Sequence, residues 1–331
     1  MEQVTQVVGT RTCPFQVPSD VQECVQSWFG QDGRRWLARL PGIAGMLAAS
    51  WGFHPAGPAF GGGTQALVLP VRMHDGREAV LKVSHPDPEN ILESRALALC
   101  RGQGTVELIR RSARFNAMLL ERIRPGLPLS RAMPATDMVR TQGHVLRRAA
   151  RVLPPRHPFA TSMSMASAWL GTIRQGVPTA CGTIPADVGA RVEMFLADMA
   201  QRAPCAILVN SDGHCGNILS SSREGWLLAD PKPVAGCAEF EAGCMFAPFA
   251  FGSQDHVPEA HTDDGHDLAD LFDVACQARD ADLATAGQWA AARAVSDFLF
   301  ATRVGSPAVP RMASLLHPYL DAVLAQGRSA G

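Results

Sequence analysis

The sequence predicts an α+β protein with two lobes, a small antiparallel β lobe followed by a mainly helical lobe. A glycine cluster at 57–63 leads into a strand–turn–strand pattern over 66–83, and its Asp-Gly step is typical of a hairpin turn. Segment 124–128 contains two prolines and a glycine, which disfavour regular structure, so it predicts a linker. Beyond this linker the apolar spacing is mostly helical. We therefore expect one lobe over residues 1–123 and a second over 124–331.

The elements of each lobe follow from the periodicity of the apolar residues. In the first lobe this periodicity predicts two helices, 20–50 and 89–101, and four strands, 66–71, 78–83, 105–109 and 118–123. In the second lobe it predicts helices 136–152, 186–202, 264–279, 283–304 and 309–326, with short strands at 206–209 and 226–229.

Composition excludes several classes of function. The formal net charge is −1, with 47% hydrophobic and 18% charged residues, which is typical of a soluble globular protein and gives no basic footprint for nucleic acid. No stretch approaches 18 apolar residues, and the N-terminus lacks the basic and apolar segments of a signal peptide. The nine cysteines form no Cys-x-x-Cys pair, which indicates reduced thiols, although Cys215 is open to modification. We expect a cytoplasmic protein without nucleic-acid or membrane partners; its oligomeric state is left open.

The most informative segment is 210–232, which places Asp212, Asn217 and Asp230 at the ends of two short predicted strands. Phosphoryl transfer requires a group that orients the acceptor hydroxyl, and Mg²⁺ requires hard oxygen ligands. Asp212 has the position of the first group, and Asn217 and Asp230 have the positions of metal ligands. An aspartate alone is also typical of a turn, but Asp-x4-Asn followed by a second strand-end Asp indicates a Mg-nucleotide site. Together with the preceding β lobe, this spacing indicates a two-lobed, protein-kinase-like fold.

A phosphate clamp is predicted in the first lobe. The chain has 28 arginines and only two lysines, and such a sequence keeps Lys where a planar guanidinium cannot replace a compact ammonium. Lys82 is therefore expected to contact phosphates, with Glu93 as its ion-pair partner; an exposed strand lysine and a solvated helix glutamate are the alternatives. The run Gly61-Gly62-Gly63-Thr64 would let backbone amides approach phosphate. No Gly-x-x-x-x-Gly-Lys-Ser/Thr pattern occurs, which excludes a P-loop.

Several short motifs also occur in a familiar order along the chain: Gly33–Pro41, Ala79–Lys82, Met118–Arg122 and Trp226–Lys232. On these motifs the chain resembles the aminoglycoside phosphotransferase superfamily, and within it the branch of streptomycin 6-kinases and hydroxyurea phosphotransferases. The resemblance implies the cofactors ATP and Mg²⁺ and transfer to a hydroxyl of a cationic aminoglycoside, above all the 6-position of a streptomycin-type antibiotic, with resistance as the result.

The resemblance also implies roles for individual residues. Asp212 would be the base, and Asn217 and Asp230 would be the metal ligands. Lys82 with Glu93 would form the phosphate clamp. The hinge backbone near Glu121 and Ile123 would contact the adenine; whether the nucleotide is ATP or GTP stays open at this stage.

One departure from the family pattern concerns the residues around the candidate base. The family usually has His-Gly-Asp, whereas this chain has Asn210-Ser211-Asp212-Gly213. The supporting imidazole is absent, Gly213 is expected to loosen the loop, and the Asn210 amide offers a compensating hydrogen bond. This departure motivates an alternative function, a nucleotide-binding pseudokinase or scaffold.

Carboxylates are expected to bind a cationic acceptor. Glu239 and Glu241 follow soon after Asp230 and the predicted strand 226–229, and they are the first candidates. A further candidate, Asp267, belongs to an acidic run from Asp263 to Asp273. A solvated helix face is the alternative for this run. An acidic lining near Glu239 and Glu241 favours an aminoglycoside, whereas an apolar lining favours a kinase of another small molecule, such as hydroxyurea or a metabolite.

Overall fold

A computed structural model describes residues 15–88, 90–176, 182–203, 205–251 and 267–325, with the backbone only for 249–251. The chain forms two compact units. The first comprises Met1–Ser94 and Glu107–Arg122, and the second comprises Arg95–Val106 and Ile123–Gly331.

This division differs from a single boundary after residue 123, because segment 95–106 belongs to the second unit. Its attachment is a main-chain pairing: Thr105 forms a parallel bridge with Leu228, and Val106 N donates to Leu228 O at 2.9 Å. Because the paired residues are more than 100 positions apart in the sequence, their pairing leaves no local pattern. The spacing of apolar residues therefore could not predict it.

The first unit is an antiparallel sheet packed against a long helix. Helix α1 (Ser19–Trp51) is interrupted at Gly30, whose φ of 53° and ψ of −122° are not helical. The strands are β1 (Phe53–Pro55), β2 (Ala66–Met73), β3 (Glu78–Ser84), β4 (Leu108–Ser112) and β5 (Ala117–Glu121), in the spatial order β1-β2-β3-β5-β4. The buried core between helix and sheet includes Leu40, Leu47, Leu67, Leu69, Leu81 and Leu119.

The central strand of this sheet is β3. Lys82 lies opposite Val68 of β2 on one side and opposite Met118 of β5 on the other. Helix α2 (Glu93–Cys100) begins in the first unit, and the chain crosses to the second unit within it, after Ser94.

The second unit is mainly helical. Its helices are α3 (Ala135–Ala149), α4 (Ser162–Gly176), α5 (Ala186–Met199), α6 (Ala238–Phe251), α7 (Leu268–Arg279), α8 (Leu283–Arg303) and α9 (Val309–Leu324). Its strands are β6 (Pro125–Pro128), β7 (Arg151–Val152), β8 (Ile207–Asn210), β9 (Ile218–Ser221), β10 (Gly225–Leu228) and β11 (Pro233–Gly236). The strands form two antiparallel sheets of three, β10-β9-β6 and β11-β8-β7.

The core of the second unit is built around an aromatic cluster. Trp289 of α8 makes edge contacts with Phe240 of α6 and Phe195 of α5, each at a centroid distance of 5.1 Å. Phe246 of α6 packs on Phe272 of α7 at 4.9 Å. Within the described part of the chain, every helix is too short or too polar to cross a bilayer.

One prediction for this unit was incomplete, and two of its helices, α4 and α6, were not predicted. Segment 124–128 is not only a linker, because Pro125–Pro128 forms β6; β6 lies at the edge of its sheet, where proline is tolerated. Helix α6 was not predicted, because residues 240–247 are buried without interruption and therefore show no helical periodicity.

Candidate active site

Asp212 lies just after β8, in a loop whose backbone is held on both sides. Asp212 N donates to Asn210 Oδ1 at 3.2 Å, and Asp212 O accepts from Asn217 Nδ2 at 3.2 Å. Both bonds use main-chain atoms of Asp212, so they fix the residue without engaging its carboxylate. The aspartate is partly exposed. Such a carboxylate is suited to accept a hydrogen bond from an acceptor hydroxyl.

The two candidate metal ligands lie on adjacent chain segments. Asn217 O accepts from Ala229 N at 2.8 Å, which places Asn217 beside the residue that precedes Asp230. Because Asn217 Nδ2 is used by Asp212 O, its Oδ1 is the amide atom left for a ligand. An amide oxygen and a carboxylate are the hard donors that Mg²⁺ prefers. This donor set fits the expected metal.

Lys232 lies close to Asp230, one of the candidate metal ligands. Its Nζ is 3.5 Å from Asp230 Oδ1, and its side chain is 20% exposed. Of the two roles that a Pro-Lys-Pro segment allows, charge neutralisation beside Asp230 is the one that this geometry favours over an exposed turn residue.

Gly213 does not loosen the loop as expected. Its carbonyl accepts from Gln142 Nε2 at 2.7 Å, and Gln142 is fully buried in α3. A Cβ at position 213 would lie 2.7 Å from Leu146 Cδ2, which is closer than real contacts allow. A larger residue at 213 would displace the Leu146 side chain of α3, and the hydrogen bond from the buried Gln142 holds the backbone of the loop at this point.

The Asn210 side-chain amide makes hydrogen bonds in the loop, as considered from the sequence, and it does so through its oxygen. Its Oδ1 accepts from Asp212 N and also from Lys232 N, the latter at 2.7 Å. Asn210 is 3% exposed. One buried oxygen thus joins the segment of the candidate base to the segment of Asp230.

Arg293 of α8 is a further residue at this site that the sequence did not reveal. Its Nη1 donates to Ser211 O at 3.3 Å, and its Nε donates to Asp297 Oδ2 at 2.6 Å. Burial by itself would lower the pKa of Arg293, but the carboxylate of Asp297, assisted by Cys244 and Asp212, outweighs burial and raises the pKa. As one of 28 arginines it carries no local signal.

The first unit contains the ion pair that was expected between Lys82 and Glu93. Lys82 Nζ lies 2.7 Å from Glu93 Oε1 and 2.9 Å from Oε2. The Lys82 side chain is 8% exposed and that of Glu93 is 0% exposed, so this is a buried ion pair. Neither the exposed-lysine nor the solvated-glutamate alternative agrees with this burial.

The glycine-rich run has a partner within its own unit. Gly62, with φ of 80°, donates its N–H to Asp20 Oδ2 of α1. Gly61, Gly62 and Thr64 are exposed, and Gly63 is partly buried. The amide that was expected to approach phosphate therefore already binds a carboxylate in this structure.

The expected adenine-contact residues end the β5 strand and begin the next segment. Glu121 N is used within the sheet, donating to Glu107 O at 3.0 Å, and Glu121 Oε1 accepts from Glu107 N. Ile123 is buried and belongs to the second unit.

The candidate substrate carboxylates have different surroundings. Glu239 is half-buried at the start of α6, and its Oε1 accepts from Asp282 N at 3.4 Å. Asp267 is an exposed N-cap of α7, accepting from Ala269 N. The neighbouring Asp263 and Asp264 lie outside the described residues.

Glu241 has a different role from the expected one. It is 1% exposed, its Oε1 accepts from Asn210 N at 2.6 Å, and its Oε2 is paired with Arg279 Nε. A carboxylate enclosed in this way offers no surface to an acceptor. It supports the loop of Asp212 instead.

Cys215 lies inside the loop but is not exposed. It is 1% exposed, it is not in a disulfide, and burial raises the pKa of its thiol to about 12. The thiolate is the reactive form of cysteine. The structure therefore argues against Cys215 as a readily modified residue.

Comparisons with known proteins assign the chain to a known family. A sequence model of the aminoglycoside/hydroxyurea antibiotic resistance kinase family matches residues 51–305. A hydroxyurea phosphotransferase of Kitasatospora aureofaciens is 36% identical over 233 residues, which are 68% of this chain and 66% of that protein. A streptomycin 6-kinase of Streptomyces glaucescens is 28% identical over 302 residues, covering 89% of this chain and 93% of that one.

A solved structure shows the same fold. The amicoumacin kinase in complex with AMP-PNP, Ca²⁺ and Ami is 15% identical, with a TM-score of 0.56 over 88% of this chain and 95% of that one. The fold is therefore that of the protein-kinase-like phosphotransferases.

The family match is more specific than the fold. The chain belongs to the aminoglycoside/hydroxyurea antibiotic resistance kinases. Membership of this family makes it a phosphotransferase.

Proposed function

We propose that the protein transfers the γ-phosphoryl group of ATP, with Mg²⁺, to a hydroxyl of a small antibiotic molecule in the cytoplasm. The observation that carries this proposal is the arrangement of the second unit's catalytic segments. Hydrogen bonds join Asp212 to Asn217 and Asn217 to Ala229, so a candidate base and two candidate metal ligands belong to one connected network. The cysteines of the described chain are free thiols, as a reducing compartment would keep them.

The proposed roles follow from the chemistry of each side chain. When bound, Mg-ATP supplies the phosphoryl group, and the metal balances its charge. Asp212 orients the acceptor hydroxyl and takes its proton late in the transfer. Asn217 Oδ1 and the Asp230 carboxylate hold the metal. In the first unit, Glu93 holds the Lys82 ammonium ready for phosphate oxygens.

There are two candidate acceptors for the phosphoryl group. A streptomycin-type aminoglycoside is the acceptor expected from the sequence, and the half-buried Glu239 supports it as a carboxylate for a cationic group. Hydroxyurea is the second candidate. It is supported by the 36% identity to a hydroxyurea phosphotransferase and by the burial of Glu241, which removes one of the two carboxylates favouring a cation.

A coupled ADP-release assay with Mg-ATP tests the proposal against streptomycin, other aminoglycosides and hydroxyurea, with mass spectrometry to detect the phosphorylated product. Asp212→Ala should lower acceptor-dependent release by about 10²–10⁴-fold, the usual contribution of a general base, and should retain nucleotide binding. Asp187→Ala, an exposed aspartate of α5, is the matched control and should behave like wild type. Equal activity of Asp212→Ala and wild type would remove Asp212 from the role of base.

Glu239→Gln separates the two acceptors. If the active acceptor is streptomycin, loss of the carboxylate should raise KM for streptomycin, because a charged hydrogen bond is lost. If the active acceptor is hydroxyurea, which has no positive charge, KM should be unchanged. Nucleotide binding without turnover of any acceptor would support the pseudokinase alternative.

A further inference from the structure

We infer that Asn210 is a positioning residue for phosphoryl transfer, held in place by the buried Glu241–Arg279 ion pair. The inference rests on the proposed function, because Asn210 is assigned to act through Asp212 and Asp230. It concerns the residue at which this chain departs from the His-Gly-Asp pattern.

The first observation is a single oxygen shared by two catalytic segments. Asn210 Oδ1 accepts from Asp212 N at 3.2 Å and from Lys232 N at 2.7 Å. Ser211 N donates in turn to Lys232 O at 3.0 Å. The loop that contains the base and the segment that follows Asp230 are thereby clamped together around one side chain.

The second observation concerns the contacts that hold the backbone of Asn210 in place. Asn210 N donates to Glu241 Oε1 at 2.6 Å, and the other oxygen of Glu241 is paired with Arg279 Nε. Glu241 is 1% exposed and Arg279 is 5% exposed. A buried ion pair is weak evidence for stability, because removing both charges from water is costly. Here the pair places a fixed acceptor at the backbone of Asn210 and links α6 and α7 to the loop.

The third observation is that only the oxygen of the Asn210 side-chain amide forms hydrogen bonds. Its Nδ2 is buried and has no hydrogen-bond partner among the described residues. If the residue served only to fill the core, an apolar side chain of similar size would avoid burying this amide. The contacts of Oδ1 are therefore what the asparagine provides.

The expected consequence is kinetic. Misplacement of a catalytic group by about 1 Å costs roughly 10²-fold in rate. Asn210→Ala removes the shared acceptor and should lower kcat by roughly that factor, with little change in KM for Mg-ATP. Asn210→Asp is nearly isosteric and keeps the acceptor oxygen, but it replaces Nδ2 with a second oxygen and adds a negative charge close to the buried Glu241. It should therefore recover only part of kcat.

Two controls separate positioning from general destabilisation. Val192→Ala, in the buried face of α5, truncates a fully buried side chain of the same unit and should lower the thermal midpoint without lowering kcat. Glu241→Gln keeps the shape and the acceptor for Asn210 N but weakens the pair with Arg279. It should lower kcat in the wild-type background and should have no further effect in the Asn210→Ala background.

The deciding experiment is steady-state kinetics of these variants with the acceptor that the wild type uses, at a temperature where each is folded by circular dichroism. A lowered kcat in Asn210→Ala, partial recovery in Asn210→Asp and non-additivity with Glu241→Gln support the inference. An unchanged kcat in Asn210→Ala, or additive losses in the double variant, overturn it while the proposed function stands. A wild type that phosphorylates no acceptor overturns the proposed function and this inference together. Should Asn210→Ala fail to fold, Glu241→Gln with an unchanged kcat overturns the inference.

Discussion

The buried pair between Lys82 and Glu93 gives the sharpest stability prediction. Glu93 is 0% exposed, and both of its carboxylate oxygens lie within 2.9 Å of Lys82 Nζ. Glu93→Ala leaves the ammonium of Lys82 buried without this carboxylate. Removal of one partner from a buried pair costs about 3–5 kcal/mol of unfolding free energy.

A surface pair in the same unit supplies the matched control. Arg72 of β2 and Glu78 of β3 form an ion pair, with 3.5 Å between Arg72 Nη2 and Glu78 Oε1. Their side chains are 47% and 38% exposed. Solvent screens such a pair, so Glu78→Ala should cost no more than about 1 kcal/mol. Glu93→Ala should therefore lower the unfolding free energy several times more than Glu78→Ala does.

Urea unfolding, combined with hydrogen exchange of the β3 amides, measures this difference within the first unit. Glu93→Gln refines the test, because it keeps the side-chain volume and removes only the charge. If Glu93→Ala and Glu78→Ala lower the unfolding free energy equally, the Lys82–Glu93 pair is not buried as described, and its proposed role as a preformed clamp is refuted.

Three further outcomes are expected. Lys82→Arg should lower kcat/KM for ATP by about tenfold or more, because a planar guanidinium does not reproduce a compact ammonium in a buried site; steady-state kinetics equal to wild type would contradict the argument from lysine scarcity. Asp20→Asn should lower KM for Mg-ATP by a few-fold, about the difference between a charged and a neutral hydrogen bond, because Asp20 occupies the amide of Gly62. Glu23→Gln on the same helix is its control, and an unchanged KM in Asp20→Asn would mean that the loop amide does not bind phosphate. Cys215, with a pKa of about 12, has a thiolate fraction on the order of one in 10⁴ at pH 8, so iodoacetamide should label it only after unfolding in guanidinium; rapid labelling of the folded protein would show that the loop opens.

The elements with strong periodicity were predictable from the sequence. Helix α8 was expected at 283–304 and is found at Leu283–Arg303, and the hairpin around the Asp-Gly step is found between β2 and β3. Local patterns suffice for such elements, because a helix with one buried face or a tight turn leaves its signature within a few residues. Helix α6 left none, because its residues 240–247 are all buried.

Glu241 illustrates the limit of the same reasoning at the site. Its position soon after Asp230 suggested a carboxylate that binds the acceptor. Only the tertiary structure shows that it is enclosed by Asn210 and Arg279. Sequence proximity to a catalytic segment does not decide which way a side chain faces. Gly213 gives the same lesson, because a hydrogen bond from the buried Gln142 of α3 to its carbonyl holds a loop that the sequence suggested would be loose.

The sequence by itself predicted the candidate catalytic and metal-binding residues of this protein. The spacing of Asp212, Asn217 and Asp230 is local, and the choice of lysine at 82 is visible in the composition. The tertiary structure decided which residues hold that chemistry in place: Asn210 by its side-chain oxygen, Arg293 from α8, and the Glu241–Arg279 pair from α6 and α7. The physical reason is that reactive groups must have particular types and spacings along the chain. Their supports need only a donor or acceptor at the right point in space, and the fold brings these from segments that are distant in sequence.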